Sequence, residues 1–399
     1  MKPKAHRLPF LNPGLWAFLA IIPGFLTATA DAAQTAGQLA SAAPAAPAAA
    51  AEGGSVAIEE GVLGAAHYAI ALPAARWNHR LLLIAHGFRP ESSPLLPDLH
   101  PARESNRTLL DEGWIVATTS YRRNGVIIGD AIADLEALRA HIASSHGDLD
   151  RVIVEGDSMG GLIATIIAER DPDHYAGAVA FCATLYAKEA NPAVGLSLLP
   201  HIPLLFVTNR SELAGTKAYV SVITPTSDGF VHPQLWVISR DGHVNINERE
   251  RLGALRAINA WIDSNSEALP RPAGGVPFFD ATVPPDPSPS KAIPMPDHRG
   301  FATRVAEVSA IDGQLTLEAQ PSDFAAAGIT PMTFFKLVTK GAPIRVLYGR
   351  DFGNVRRGQW IVISDPEGHT ILSRNYENAA ASAHIKAGDF LTLVRYEGP

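Results

Sequence analysis

The 399-residue chain has one cysteine, Cys182. No internal disulfide can form, and no cysteine-based metal site can be built. Cys182 lies in an apolar run, where packing is the expected use of a thiol. Positive charge is also in short supply: 33 Lys and Arg face 40 Asp and Glu, giving a net charge of −7 and a pI near 6.1. Without a broad basic field to collect phosphates, nucleic acid is excluded as a main partner. Charged residues amount to 18% and hydrophobic residues to 47%, which suits a globular protein with an ample core. No cluster of metal-ligand spacing is visible, so no metal and no cofactor are expected. Long apolar runs are missing except near the start. There Lys2, Lys4 and Arg7 precede an apolar core that begins at Leu15 and runs to Ala30, and Ala30-Asp31-Ala32 follows the A-x-A pattern. Residues 1–32 therefore read as an export signal, and the expected location is periplasmic or secreted. A membrane anchor is the alternative, but the run is short and interrupted by Pro23 and Gly24.

Composition then divides the rest. Residues 33–54 are Ala/Pro-rich with almost no charge and read as a tether. Residues 265–298 are proline-rich with few apolar runs and read as a linker. Two domains remain, 55–264 and 299–399, as the length suggests.

In the first domain, apolar runs at 81–85, 114–119, 152–154, 178–181, 203–207 and 235–238 alternate with helical patterns. One pattern runs through Ala133, Leu135, Leu138 and Ile142, with Asp130 as its expected cap. Another carries Leu252, Leu255, Ile258 and Trp261 on one face. Continuous apolar strands separated by helices predict a parallel-rich sheet covered on both faces, an α/β fold. Ligands of such sheets sit at the carboxyl ends of the strands.

Three features fall at that edge. Gly156-Asp157-Ser158-Met159-Gly160 follows one strand and opens a helix, which places the Ser158 hydroxyl at the tip of a sharp turn. His86-Gly87-Phe88 follows another strand. Acyl transfer needs main-chain N–H groups aimed at a developing oxyanion, and Phe88 and Met159 are placed to supply them. Asp241-Gly242-His243 lies between the last strand and the last helix. A serine hydroxyl cannot attack unaided, and His243 is the imidazole available to take its proton. Arg122 and Arg123 follow the strand at 114–119; they are candidates for binding an acidic group on a substrate, or an ordinary solvated pair.

With these motifs in place, residues 76–264 resemble the α/β-hydrolase family, whose order is serine, acid, histidine. The resemblance implies Ser158 as nucleophile, His243 as base, and Phe88 and Met159 as oxyanion donors. It also implies an acid in the loop after the strand at 203–207. Where the family usually shows aspartate, this chain offers Glu212. Glu189 and Asp241 are the other candidates.

The second domain changes character. Short alternating runs at 302–308, 314–318, 334–338, 344–348, 360–363 and 391–394, with turns such as Asp312-Gly313 and Glu367-Gly368, predict a small antiparallel barrel or sandwich. The pieces Val355-Arg356-Arg357-Gly358-Gln359, Asp365-Pro366-Glu367-Gly368, the run from Arg374 to Ala381 and Ile385-Lys386-Ala387-Gly388-Asp389 are similar to the C-terminal barrel of the S-adenosylmethionine hydroxide adenosyltransferase family. In that family the barrel helps hold an adenosyl group. Its catalytic domain has no counterpart here, so the resemblance implies a binding or assembly module. Arg374 and Asn375 could touch a ligand or hold a turn.

The expected function is an exported serine hydrolase that cleaves a carboxylic ester, small or polymeric, through an acyl-serine intermediate. A peptidase or amidase with the same site, and a non-catalytic binding protein built on the barrel, are the competing readings.

Overall fold

The structure is a computed structural model that describes residues 56–186, 194–222, 230–264, 289–339 and 341–396. The predicted export signal, the tether, most of the linker, and Glu189 lie outside the described residues.

Eight strands form the first sheet: β1 (Ala57–Leu63), β2 (Ala66–Leu72), β3 (Arg80–Ala85), β4 (Ile115–Thr119), β5 (Arg151–Asp157), β6 (Gly177–Phe181), β7 (Leu204–Asn209) and β8 (Gln234–Ile238). Their order is β1-β2-β4-β3-β5-β6-β7-β8. From β4 to β8 every pair is parallel, while β1 and β2 form an antiparallel hairpin whose second strand runs against β4. Among the described residues, the α-helices of this part are α1 (Glu104–Asp111), α2 (Ile128–His146), α3 (Met159–Arg170), α4 (Leu213–Val222) and α5 (Glu248–Ser264). Strands β4, β6 and β7 are buried at every residue, because helices cover both faces. One face packs Leu81, Leu83 and Val154 against α2 and α3 through Leu135, Leu138, Ile163 and Ile166. The other packs Leu82, Ile153 and Leu205 against α1 and α5 through Leu109, Leu255, Ile258 and Trp261.

The sequence expectations need two corrections here. Asp130 does not cap α2: the cap position is Ile127, with no side-chain bond, and Asp130 sits in the first turn. The β1–β2 hairpin, α1 and α4 did not emerge from the sequence patterns. β1 is an edge strand with little burial and α1 is only eight residues long, so neither has a strong apolar signature.

The second part contains β9 (Ile293–Pro294), β10 (Gly300–Val308), β11 (Leu315–Leu317), β12 (Phe334–Val338), β13 (Ile344–Tyr348), β14 (Trp360–Ser364), β15 (Thr370–Arg374) and β16 (Phe390–Arg395), with short helices α6 (Pro321–Ala326) and α7 (Ala379–Ala383). β9 pairs with β10, so sheet structure begins inside the segment read as a linker. The order β11-β15-β14-β13-β12-β16-β10, with β10 also pairing β11, closes a seven-stranded ring. This is a barrel and not a sandwich. It is not wholly antiparallel, since β13 and β14 run parallel. Phe301, Phe324 and Phe335 fill it, with Phe324 edge-on to both others at 5.0 and 5.7 Å. Such edge-to-face pairs add to the burial of the rings themselves.

The turn after β15 holds itself together. Asn375 Nδ2 donates to Val355 O at 2.9 Å, and Arg374 donates to Gly358 O at 3.0 Å and to Ser382 Oγ at 2.8 Å. Both side chains are used in closing the turn, the structural alternative of the two considered. Tyr376, at its tip, has φ 60°. A left-handed conformation costs a non-glycine residue roughly 1–2 kcal/mol. Among the described residues, no helix is long and apolar enough to cross a membrane.

Candidate active site

The serine turn owes its shape to two close approaches. A Cβ on Gly156 would stand 2.4 Å from the Gly160 carbonyl, and one on Gly160 would stand 1.9 Å from Ala85 O. Only glycine lets β5 and α3 meet against β3. Ser158, between them, takes φ 57° and ψ −115°. The strain is held by Ser158 N donating to Phe181 O at 2.9 Å, and by Thr184 N and Leu162 N donating to Ser158 O. α3 starts at Met159, so that residue's N–H has no carbonyl one turn earlier to bind.

His243 stands on the loop between β8 and α5. Its Nε2 accepts from Ser158 Oγ at 2.8 Å, and its Nδ1 donates to Glu212 Oε1 at 2.5 Å. Glu212 lies directly after β7, in a single 3-10 turn, Arg210–Glu212, that leads into α4. The three residues thus come from the ends of β5, β7 and β8. Burial opposes a proton on His243, but the Glu212 hydrogen bond and charge, with the more distant Asp157 and Asp351, outweigh it and raise the pKa above 6.5.

The acid loop and the histidine loop are stitched together. Gly242 N donates to Ser211 Oγ at 2.9 Å, and Ser211 Oγ donates to Gly242 O at 3.1 Å. Asp241 turns away from the imidazole and pairs with Arg210 at 3.0 Å. Asn209, fully buried, ties the same loops from below. Its Oδ1 accepts from Asn245 N at 2.8 Å and from Cys182 Sγ at 3.2 Å, and its Nδ2 donates to Asn245 O at 2.9 Å. Burial, and then the Glu212 charge, push the Cys182 thiol up, so it stays protonated as a packing group.

The loop after β3 crosses over the serine turn: a Cβ on Gly87 would lie 3.2 Å from Asp157 O and 3.5 Å from Ser158 Cβ. Phe88, the next residue, is therefore beside Ser158. His86 anchors this loop. Its ring stacks on Tyr121 with centroids 3.9 Å apart, and its nitrogens lie 2.7 Å from Gly87 O and 3.2 Å from Ser120 O. Burial, and then the Arg89 charge, lower its pKa to about 3, so the ring is neutral and holds the loop without titrating.

Arg122 and Arg123 do not join the cluster. Arg122 grips Asp134 at 2.6 Å, and Arg123 pairs with Asp130 at 2.7 Å. Both guanidinium groups are committed to the start of α2, and Asp134 is nearly inaccessible. These pairs match the alternative of an ordinary solvated pair.

Sequence reasoning missed Arg251 of α5. It is buried between Asp157, at 2.8 Å, and Glu155, at 3.4 Å, with its guanidinium 4.2 Å above the Phe181 ring. Burial raises Glu155 to a pKa of about 7 despite this partner. Arg251 holds the residue next to Ser158 in place. Sequence reasoning also missed the contacts of the barrel with this site: Tyr376 packs on Phe88 with ring centroids 5.7 Å apart, and Glu367 Oε1 accepts from Glu248 N at 2.8 Å, at the start of α5. Those partners are more than a hundred positions apart, and no local pattern joins them.

Among the described residues, Glu136, Asp171 and His174 form the one group of possible metal ligands. Arg139, Tyr175 and internal pairing already occupy them. No residue of the serine cluster belongs to that group.

The strand order, and a serine, a carboxylate and an imidazole at the ends of β5, β7 and β8, define the α/β-hydrolase fold, here followed by an all-β barrel. Residues 126–221 match the family model of serine aminopeptidase, S33, a hydrolase family; the match takes in Ser158 and Glu212 and stops short of His243. No curated protein matches the chain significantly. Solved structures similar to it include an acylaminoacyl peptidase from Pyrococcus horikoshii (8% identity, TM-score 0.41, 57% of this chain and 44% of that one). Dipeptidyl peptidase 4 from Porphyromonas gingivalis aligns at 14% identity and TM-score 0.39, over 52% of this chain and 35% of that one. Esterase B from Lactobacillus rhamnosis aligns at 18% identity and TM-score 0.38, over 50% of this chain and 81% of that one. The chain thus spans less than half the length of either peptidase, and 40% of a conserved Thermotoga maritima protein that aligns at 18% identity and TM-score 0.25 over 27% of this chain.

Proposed function

We propose that this protein is an exported serine hydrolase that cleaves a carboxylic ester through an acyl-Ser158 intermediate. The observation that carries the proposal is the continuous chain of hydrogen bonds from Ser158 Oγ through His243 to Glu212. As Ser158 Oγ attacks the carbonyl carbon, His243 Nε2 takes its proton, and Glu212 stabilises the imidazolium at Nδ1. The carbonyl oxygen becomes an oxyanion that accepts from the N–H groups of Phe88 and Met159. When the tetrahedral intermediate collapses, the alcohol leaves with the proton from His243. Water then adds to the acyl group with His243 again as base, and the acid departs from a regenerated serine.

A peptidase or amidase is the second reading, and the serine aminopeptidase match is the observation in its favour. Ester and amide cleavage share this acyl chemistry; the 84 residues between Ser158 and His243 leave little room for a lid domain, which suits soluble esters or exposed polymer chains. In this reading the barrel is an accessory module, and its likeness to the adenosyltransferase barrel carries no activity. Export rests on the pattern of residues 1–32.

A fluorophosphonate probe should label the folded wild type and leave Ser158→Ala unlabelled. A folded wild type that resists the probe refutes the hydrolase reading. Turnover of p-nitroanilide peptides without turnover of p-nitrophenyl esters would establish the second reading instead.

A further inference from the structure

The barrel presents an aromatic side chain to the mouth of the serine site. Tyr376 lies against Phe88, with ring planes tilted by 60° and centroids 5.7 Å apart, within the range of edge-to-face pairing. Phe88 belongs to the loop that crosses Ser158. Tyr186 follows two residues after Thr184, whose N donates to Ser158 O at 3.1 Å. Partial burial, and then the charges of Glu212 and Tyr376, raise the Tyr186 phenol. All three rings keep open surface: 40% of Phe88, 42% of Tyr376 and 67% of Tyr186 are exposed.

Three exposed aromatic rings, two on segments that touch the serine turn and one packed on Phe88, are not explained by core packing. Tyr376 makes the point most clearly. It sits at the tip of the turn closed by the Arg374–Glu377 bridge, with φ 60°, a position that favours glycine. A bulky ring in place of glycine keeps local strain, and strain of this kind persists where a side chain has a use. Arg357 lies 5.9 Å from the face of the same ring and helps to fix it.

We propose that Tyr376, with Phe88 and Tyr186, forms an aromatic rim that selects substrates carrying a planar aromatic ring near the scissile carbonyl. The inference rests on the hydrolase reading above and names the substrate class of that site. Ring faces and edges bind another ring with a gain beyond the area covered, so an aryl group is favoured over an alkyl group of equal length. The barrel is then part of the specificity apparatus, not an appended module.

The test uses the full chain and two fluorophosphonates matched in length, one bearing a phenylalkyl and the other an n-alkyl group. Each is made with that group on phosphorus and on the alkoxy oxygen. In the wild type the aryl probe should inactivate about five- to tenfold faster in at least one of the two positions, the fold-change that ring pairing supplies. Tyr376→Gly relieves the turn, so it should melt at or above the wild-type temperature, yet the aryl-to-alkyl ratio should fall toward one. Tyr376→Phe should keep the ratio, and Tyr186→Ala should reduce it. Equal rates in the wild type, or an undiminished ratio in Tyr376→Gly, overturn the rim while leaving the nucleophile intact. If neither probe labels the wild type, the hydrolase reading fails and the rim falls with it.

Discussion

Gly160→Ala tests whether the serine turn is as tightly built as the geometry says. The added methyl carbon would lie 1.9 Å from Ala85 O, 2.8 Å from Ala85 C and 3.0 Å from His86 O. A comfortable contact needs roughly 3.5 Å, so β3 and α3 would have to part by more than an ångström. Neither can yield by a rotamer change, because the clashing atoms are backbone. β3 is held by parallel ladders to both β4 and β5, and α3 is buried from Met159 to Glu169. Overpacking against side chains costs typically about 1–3 kcal/mol. Against fixed backbone the cost should reach the exceptional range, about 4–5 kcal/mol or more. Set against a total stability of roughly 5–15 kcal/mol, this leaves little or no folded protein on heating. At about 2–4 °C per kcal/mol the melting temperature should drop by roughly 8–20 °C. Gly215→Ala is the control. It lies in α4 with nothing within 4 Å of the new carbon, and should gain up to about 1 kcal/mol of helix stability. Thermal melts of the two variants decide the matter. A Gly160→Ala protein that melts with the wild type and reacts with a fluorophosphonate would refute the close approach of β3 and α3.

The remaining predictions concern charge. In the proposed mechanism only neutral His243 activates Ser158, so the labelling rate should rise with pH through a midpoint above 6.5. Glu212→Gln should slow labelling by about 10³–10⁴ and move that midpoint down, since the largest contributions favouring the imidazolium are lost. An unmoved midpoint would mean that another carboxylate faces the imidazole. Asp351→Asn, in the barrel, should lower the midpoint by a smaller amount with the rate at high pH retained; no change would show that the barrel exerts no field on the site. Arg251→Met should cost about 3–5 kcal/mol, because Asp157 and buried Glu155 lose their partner. Folded Glu155 keeps its proton up to about pH 7, above the ordinary 4.5, so its contribution to stability is full below about 4.5 and is lost as pH rises through 7. The Arg251→Met defect should therefore be larger at pH 8 than at pH 5 in urea titrations; an equal defect at both would place Glu155 outside the network.

Much of the site was legible because its markers are local. Gly156 and Gly160 announce a close approach, and the apolar runs on either side give the strand and the helix. His86-Gly87-Phe88 and Asp241-Gly242-His243 are loops bounded by strong strands, so their edge of the sheet follows from the parallel order. Glu212 needed the family comparison as well, because nothing local separates it from Asp241. The contact with His243 depends on how far the turn after β7 swings. What escaped was tertiary. Arg122 and Arg123 face α2 because Asp130 and Asp134 lie one helical turn apart, a pairing visible only once the helix register is known. β15, Thr370–Arg374, was absent from the predicted strands because two of its buried positions are polar, Thr370 and Ser373, and leave no alternating apolar run. Tyr376 falls within the run from Arg374 to Ala381 that resembles the adenosyltransferase barrel, but nothing local points its ring toward Phe88.

The strand that closes the barrel is β16, the last of the described strands, which pairs with both β10 and β12. A growing chain therefore finishes the eight-stranded sheet and the serine cluster well before the barrel can shut. Domains fold in order of synthesis where they can. Until β16 arrives, β10 and β12 are open edges, and the Tyr376 contact with Phe88 has no closed barrel behind it. On the proposed reading, the serine cluster can form before the rim that selects its substrate. A chain truncated before Phe390 would then keep the nucleophile and lose the preference for aryl groups.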